Sequence, residues 1–446
     1  MKRVVKNLVA VLLACLLCGC GSEKVSDEII NADQGEVIVT TADPNDKREV
    51  ITFGMWSAVP EMMLEVNAFN EINAKYRIEV VTNPSVEYED YFTNRAMKVM
   101  TGRGEDLLFI GNDMRVRDYI EKGVLEDLRP YIQRDLNEED YIGEVLHAYE
   151  KDGKIYGIFP SFGISVLWGK KEDVGNKKIQ FEDLPCLMKE TGATTLMARN
   201  AMDTLWYLYC YFGMDLTNRQ ELKEGILLAE TYSDKGGLGG EVGLKLGKDA
   251  LFLELSMNRL SAIVGTEMSY GALGVDTEVV PGGILYCGAV SINNASEKKE
   301  GAWEFISFLL SEERQIKHTS ESSDGFPISR VAFEEKIEAD FEYVERRYRE
   351  IDVETPMKKE RYLEMIETWL PGSKTLYMGV DYDAWLIVSE EVEAYYSGQK
   401  SLDEVLDIIE SRMRIYLGEK EQVWNYYLRI SDSGDVPFVQ GASLWL

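Results

Sequence analysis

The sequence predicts an α/β fold that opens on a doubly wound, mostly parallel sheet, and three observations predict it. Val50-Ile51-Thr52-Phe53-Gly54-Met55-Trp56 reads as a buried strand, Glu61–Ile72 carries Met62, Leu64, Val66, Phe69 and Ile72 at helical spacing, and Tyr76-Arg77-Ile78-Glu79-Val80-Val81 reads as a second strand. Strand, helix and strand in that order make a βαβ unit. The alternation then continues through a helix at Tyr91–Met100, a buried strand at Asp106–Ile110 and a helix at Met114–Glu121, which layers helices on a parallel sheet. Finally, 45% of the chain is apolar, with 24 Tyr and 8 Trp, enough for one large or two medium cores.

Past Gly153-Lys154-Ile155-Tyr156-Gly157-Ile158-Phe159-Pro160 the pattern reads as mainly helical, at Phe181–Thr191, Thr204–Phe212 and Gln220–Tyr232. Val279-Val280-Pro281 and Ala289-Val290-Ser291-Ile292 are strand-like. Ala302–Leu310 is an amphipathic helix whose Trp303, Phe305 and Phe308 read as core. Two more helices, Asp383–Tyr396 and Leu402–Leu417, are split by Ser397–Ser401, with Gly398 suited to a helix stop and Ser401 to an N-cap. Gly236-Gly237-Leu238-Gly239-Gly240 has neither the Walker nor the dinucleotide spacing, so it is not read as a phosphate loop. Residues 420–446 are expected to fold back as an extra strand or to stay disordered.

The first residues specify export. Lys2, Arg3 and Lys6 precede an apolar run, Leu8–Leu17, of ten residues, short of the roughly 20 that a spanning helix needs. The run stops at Leu17-Cys18-Gly19-Cys20, which resembles the lipobox of bacterial lipoproteins. Residues 1–19 are then the signal peptide, and Cys20 becomes the lipidated N-terminus on the outer face of the cell membrane. An ordinary secretory signal is the competing reading. Residues 20–48 are polar and acidic and read as a flexible tether.

Composition excludes several functions. The formal net charge is −30 and falls to −33 once Lys2, Arg3 and Lys6 are removed. Nucleic acid is therefore not an expected partner, because a phosphate backbone needs clustered Lys and Arg. Cys186, Cys210 and Cys287 are sparse and odd in number beyond the export segment, which is no disulfide framework. With His147 and His318 as the two histidines, zinc or heme has few ligands to draw on. No cofactor and no metal are expected. No Ser/His/Asp order or HExxH motif emerges, and a glycoside hydrolase built on paired carboxylates is the competing enzymatic reading.

Four stretches carry a resemblance to a family. They are Gly104–Asp113 with Gly123–Leu128; Asp152–Gly157 with Pro160; Ala289–Ser296 with Glu300 and Ala302–Ile306; and Tyr396–Leu406. In this order and spacing the chain resembles a family 1 extracellular solute-binding protein, the maltose-binding type of sugar-binding lipoprotein of an ABC importer. The resemblance implies a two-lobed periplasmic-binding-protein fold of type II, with residues 49–158 and 286–330 as lobe 1 and 159–285 and 331–446 as lobe 2. It also implies a ligand in the cleft, closure about segments near Tyr156–Pro160 and Tyr286–Ser291, a permease partner, and a monomer that alters no bond. A receptor presenting ligand to a sensor kinase would use the same cleft.

A sugar asks for polar groups at its hydroxyls and flat aromatic faces at its C–H patches. By the resemblance, Asp113 falls at the family's hydroxyl-binding aspartate, next to Asn112, with helix capping as the alternative. Trp385, thirteen residues before Gly398, falls at the family's sugar-stacking tryptophan. Trp56, at the end of the first strand, faces the cleft or packs in the core. Asp203 and Trp206 start a helix in a region that supplies cleft residues in the family. Glu267 stands where maltose-binding relatives present an aromatic, which implies a ligand other than maltose. Tyr207 and Tyr211 are read as a packing pair.

Overall fold

A computed structural model describes residues 29–31, 36–38, 45–111, 113, 115–175, 178–234, 249–257, 276–286, 288–321, 325–350, 360, 363 and 369–433. The chain divides into two compact units, residues 1–108 with 295–302, and residues 109–294 with 303–446.

In the first unit the sheet runs β1 (Ile29–Asn31), β2 (Glu36–Ile38), β4 (Tyr76–Thr82), β3 (Glu49–Met55), β5 (Leu107–Phe109). β3 pairs in parallel with both β4 and β5, placing Phe53 opposite Val80 and Leu107. Helix α1 (Pro60–Ile72) makes the crossover from β3 to β4 and buries Met62, Val66 and Phe69. Pro60 suits its first turn, where no backbone donor is needed. Helix α2 (Tyr88–Met100) leads from β4 toward β5. The buried Asp106 before β5 is fully engaged: it accepts from the Thr52 hydroxyl and amide at 2.8 Å each and from the Ser296 hydroxyl at 2.7 Å. The stretch expected to be an open tether differs, because β1 and β2 form an antiparallel hairpin within it and β2 pairs with β4. Ile29-Ile30 and Val37-Ile38 supply β-branched residues that the polar surroundings concealed.

The second unit begins with the short helix α3 (Val116–Glu121) and a small hairpin, β6 (Glu150–Lys151) with β7 (Lys154–Ile155). Its sheet is organised on β8 (Ser161–Lys170), a ten-residue strand buried along its interior. Flanking it are β9 (Thr195–Met197), helices α4 (Ala201–Cys210) and α5 (Arg219–Thr231), β10 (Ala250–Met257), β11 (Thr277–Val279) and β12 (Ile284–Tyr286). The order β15-β12-β8-β10-β9, with β11 and β14 also on β8, is completed by β13 (Val290–Ile292) outside this sheet, helix α6 (Lys299–Leu310), β14 (Phe326–Pro327) and β15 (Lys374–Thr375). The helices expected after Pro160 are present, at Leu184–Thr191, α4 and α5, and the difference lies in β8, a long strand that precedes them unannounced. A continuous apolar run has no alternation by which to announce a strand.

Helices α7 (Tyr382–Tyr396) and α8 (Leu402–Ser433) close the described chain, α8 running past the Leu417 end that its apolar spacing suggests. With α4 and α5 they surround the core of this unit, in which Leu205, Leu208, Ile226, Val388 and Ile409 are buried. The two segments expected to serve as crossings pair with each other: Ile158 and Val290 exchange backbone hydrogen bonds at 3.0 and 2.9 Å, and the Ser291 hydroxyl donates to the Tyr156 carbonyl. Gly157 permits this approach, since a Cβ there would meet Ile110 Cδ1 at 2.8 Å. The loop 236–240 and Cys287 lie outside the described residues, while Cys186 is exposed, Cys210 buried, and both are unbridged.

Candidate site in the second unit

Four aromatic side chains meet where α4 and α7 pack. Spacing of three residues puts Trp206 and Tyr209 on one face of α4, and Tyr382 and Trp385 on one face of α7. The Trp206 and Trp385 ring centroids lie 4.9 Å apart, Tyr209 stacks on Trp385 at 6.3 Å with planes 10° apart, and Tyr382 meets Trp206 edge-on at 6.5 Å. Trp385 retains 8% exposure and Trp206 is half-buried. Among the described residues neither indole N–H has a hydrogen-bond partner, so both remain donors in search of an acceptor.

The next turns of α4 carry a polar array. Tyr207 and Tyr211 stack at 5.5 Å, and their hydroxyls converge on strands β8 and β10. Tyr207 donates to Glu254, Tyr211 donates to Ser165 Oγ at 2.8 Å, and the Ser165 hydroxyl donates to Glu254 Oε1 at 2.7 Å. Arg199 Nη2 lies 3.5 Å from Glu254 Oε2. Antiparallel pairing of β10 with β8, with Glu254 opposite Leu167 and Ser256 opposite Ser165, brings these groups together. Burial, then the Glu254 carboxylate, pushes the Tyr207 and Tyr211 phenols above their ordinary range, so both stay protonated hydroxyls at neutral pH. Burial likewise pushes the Tyr209 phenol up to about 12.

The residues singled out in the sequence are distributed as follows. Trp206 and Trp385 come together as just described. Asp113 is fully buried and its carboxylate accepts the Arg115 amide at 2.9 Å, a turn bond ahead of α3, whose N-cap residue is Arg115. Asp203 is exposed in the first turn of α4, where its amide donates to Asn200 Oδ1 at 2.8 Å and its carboxylate accepts from Asn200 Nδ2 at 2.9 Å. Trp56, in the first unit, is half-buried and donates its indole N–H to the Val86 carbonyl at 2.9 Å. Asn112 and Glu267 lie outside the described residues.

Sequence reasoning missed Tyr209, Tyr382, Ser165 and Glu254. The repeated spacing, Trp206 to Tyr209 and Tyr382 to Trp385, was the available signal for the first pair. For Ser165 and Glu254 no local signal exists, because strand pairing alone joins them to α4.

Chemically the array offers aromatic faces, hydroxyls and an acceptor carboxylate. Among the described residues no helix is long and apolar enough to cross a membrane, and no group of three or more His, Cys, Asp or Glu is placed to hold a metal ion. His147 pairs with Glu138 at 2.9 Å at a partly exposed position.

The chain covers the full length of its structural neighbours. An ABC substrate-binding protein, Lmo0181 from Listeria monocytogenes in complex with cycloalternan, is 17% identical with a TM-score of 0.51, covering 83% of this chain and 100% of its own. The sugar-binding protein MalE from Xanthomonas citri is 13% identical with a TM-score of 0.53, covering 84% and 99%. These likenesses give the fold, the two-lobed α/β type of MalE. No curated protein matches the sequence at a significant level. The profile of the family described as bacterial extracellular solute-binding protein matches residues 66–343, more than half of the chain. The chain belongs to the bacterial extracellular solute-binding proteins.

Proposed function

We propose that this chain is the carbohydrate receptor of an ABC importer, holding an oligosaccharide against Trp206 and Trp385 and delivering it unaltered to a membrane permease. The observation that carries this reading is that α4 contributes both to a four-ring aromatic cluster, shared with α7, and to a hydroxyl and carboxylate array, shared with β8 and β10. Pyranose C–H faces stack on the rings, and sugar hydroxyls exchange hydrogen bonds with the indole N–H groups and the rim of Glu254. Several lines support it: family membership, and a fold shared with proteins described as binding cycloalternan and as a sugar-binding MalE.

Capture proceeds by movement about the paired segments at Ile158 and Val290, and ligand favours the holding form only through its differential affinity for it. Asp113, Asn112, Asp203, Glu267 and Trp56 are secondary candidates for contacts. Cys20 carries a lipid anchor, which keeps a monomeric receptor close to its permease and raises the effective concentration.

The test is a thermal-shift and fluorescence screen of residues 21–446 with maltotriose, isomaltotriose and cycloalternan, followed by product analysis. A binding sugar adds about 2.7 kcal/mol at a hundredfold excess over Kd, raising the melting temperature and shifting tryptophan emission, and is recovered intact. No shift with any glycan, or recovery of cleaved products, would overturn the proposal.

A further inference from the structure

Two segments separated by 268 residues are joined by ion pairs beside Trp385. The loop before α3 contributes Arg115, whose amide is held by Asp113, and α3 itself contributes Arg117. The first turn of α7 contributes Asp381 and Asp383. Arg115 Nη1 donates to Asp383 Oδ1 at 2.7 Å, and Arg117 Nη1 lies 3.6 Å from Asp381 Oδ2. Asp381 is the N-cap of α7, accepting the Ala384 amide at 3.2 Å and the Tyr416 hydroxyl at 2.7 Å, while the Asp381 carbonyl receives the Trp385 amide at 3.0 Å.

We infer that Arg115 and Arg117 are positioning residues for the ligand platform: their ion pairs with Asp383 and Asp381 fix the first turn of α7 and, through it, the Trp385 ring. This rests on the proposal that Trp385 meets the ligand. Charge balance gives the reason. Asp118 lies 3.6 Å from Arg115, and Glu121 accepts from Arg117 Nε at 3.1 Å and from Lys151 Nζ at 3.4 Å, so four carboxylates share two guanidiniums and one ammonium. Without the arginines Asp118 of α3 and Asp381 and Asp383 of α7 would lose these counter-charges while Lys151 still met Glu121, and like charges at this range repel. Burial opposes both guanidinium charges, and the surrounding carboxylates outweigh it, raising both above the ordinary value. The Arg115 pair is open to solvent, with side chains 31% and 28% exposed, so salt screens it. A neutral sugar carries no charge. Any salt dependence of its affinity must therefore arise from charges within the protein.

The test compares residues 21–446 with an Arg115→Gln/Arg117→Gln variant and with the charge exchange Arg115→Asp/Asp383→Arg. In the ligand-free protein, hydrogen exchange at the Ala384 and Trp385 amides should rise about tenfold or more in the glutamine variant, return toward the parent in the charge exchange, and leave core amides of β8 unchanged. With maltotriose as the probe, parent affinity should fall as sodium chloride is raised, and the glutamine variant should bind about tenfold more weakly with a flat salt profile. Unchanged exchange at Ala384 and Trp385, or parent affinity insensitive to salt, would overturn the inference. If neither maltotriose, isomaltotriose nor cycloalternan binds the parent, the proposed function is what fails, and the exchange arm still decides the clasp.

Discussion

Trp303 and Trp385 both sit on amphipathic helices and both are nearly buried, at 2% and 8% exposure, yet their surroundings differ in kind. Trp303 donates its indole N–H to Asp135 at 2.6 Å and packs on Tyr131 at 5.4 Å. Every polar demand of that ring is met within the fold. Trp385 meets other aromatic rings, and its N–H has no partner among the described residues. An unengaged N–H alone does not mark a ligand contact, since Trp168 in β8 is fully buried and its indole N–H also has no partner among the described residues. What sets Trp385 apart for the proposed site is an unengaged N–H together with the aromatic cluster around its ring.

The comparison breaks most visibly at Trp303. Trp303→Ala should cost about 3–5 kcal/mol, from lost contacts, a residual cavity and an Asp135 carboxylate deprived of a donor. Urea unfolding with an unchanged m-value would measure it. The fraction that remains folded should bind the sugar identified by the screen with parental affinity. A loss of affinity out of proportion to the unfolded fraction would erase the distinction.

Trp385→Phe should give the opposite pattern. A phenyl ring still packs against Trp206 and Tyr209, so the stability cost should stay near about 1–2 kcal/mol, while affinity falls about tenfold or more as the larger face and the open N–H are lost. Titration calorimetry beside thermal unfolding separates the two. Equal loss in both would return Trp385 to the core.

Legibility followed the range of the interactions. The βαβ start of the first unit could be read because each element announces itself within its own dozen residues. Trp206 and Trp385 could both be named from the resemblance, but their contact at 4.9 Å could not. β8 escaped because Phe162-Gly163-Ile164-Ser165-Val166-Leu167-Trp168 is apolar without period, and its glycines look like loop residues. Gly163 leaves room for the Tyr286 ring, which a Cβ there would displace. Tyr207 and Tyr211 do stack, as their spacing of four suggests, but the acceptors of their hydroxyls lie more than 40 residues away in sequence. Arg115 and Asp383 are the extreme case, since no local pattern couples a loop to a helix start so distant.

The smallest effect sharpens the contrast within the platform itself, at Tyr209. Its ring stacks on Trp385 while its hydroxyl accepts the Asp381 amide, so one side chain serves both the proposed ligand face and the start of α7. Tyr209→Phe keeps the ring and removes the hydroxyl, leaving the Asp381 amide without that acceptor at a cost of about 1 kcal/mol. The alkaline limb gives the more specific signature. Burial raises this phenol from 10.0 in the unfolded chain to about 12 in the folded one. Its contribution is therefore fully present below pH 10 and is lost as pH rises toward about 12, because the unfolded state releases its proton first. Tyr207, Tyr211 and Tyr416 are shifted in the same direction, so the parent alone cannot isolate one ring. The difference between parent and Tyr209→Phe can: across this window it should shrink by about 1 kcal/mol after allowance for partial solvent screening, with sugar affinity at neutral pH within about twofold of the parent. A stability difference that stays constant between pH 9 and pH 12 would show that the phenol titrates as if in water. The platform would then be open to solvent on the side where Tyr209 meets Trp385.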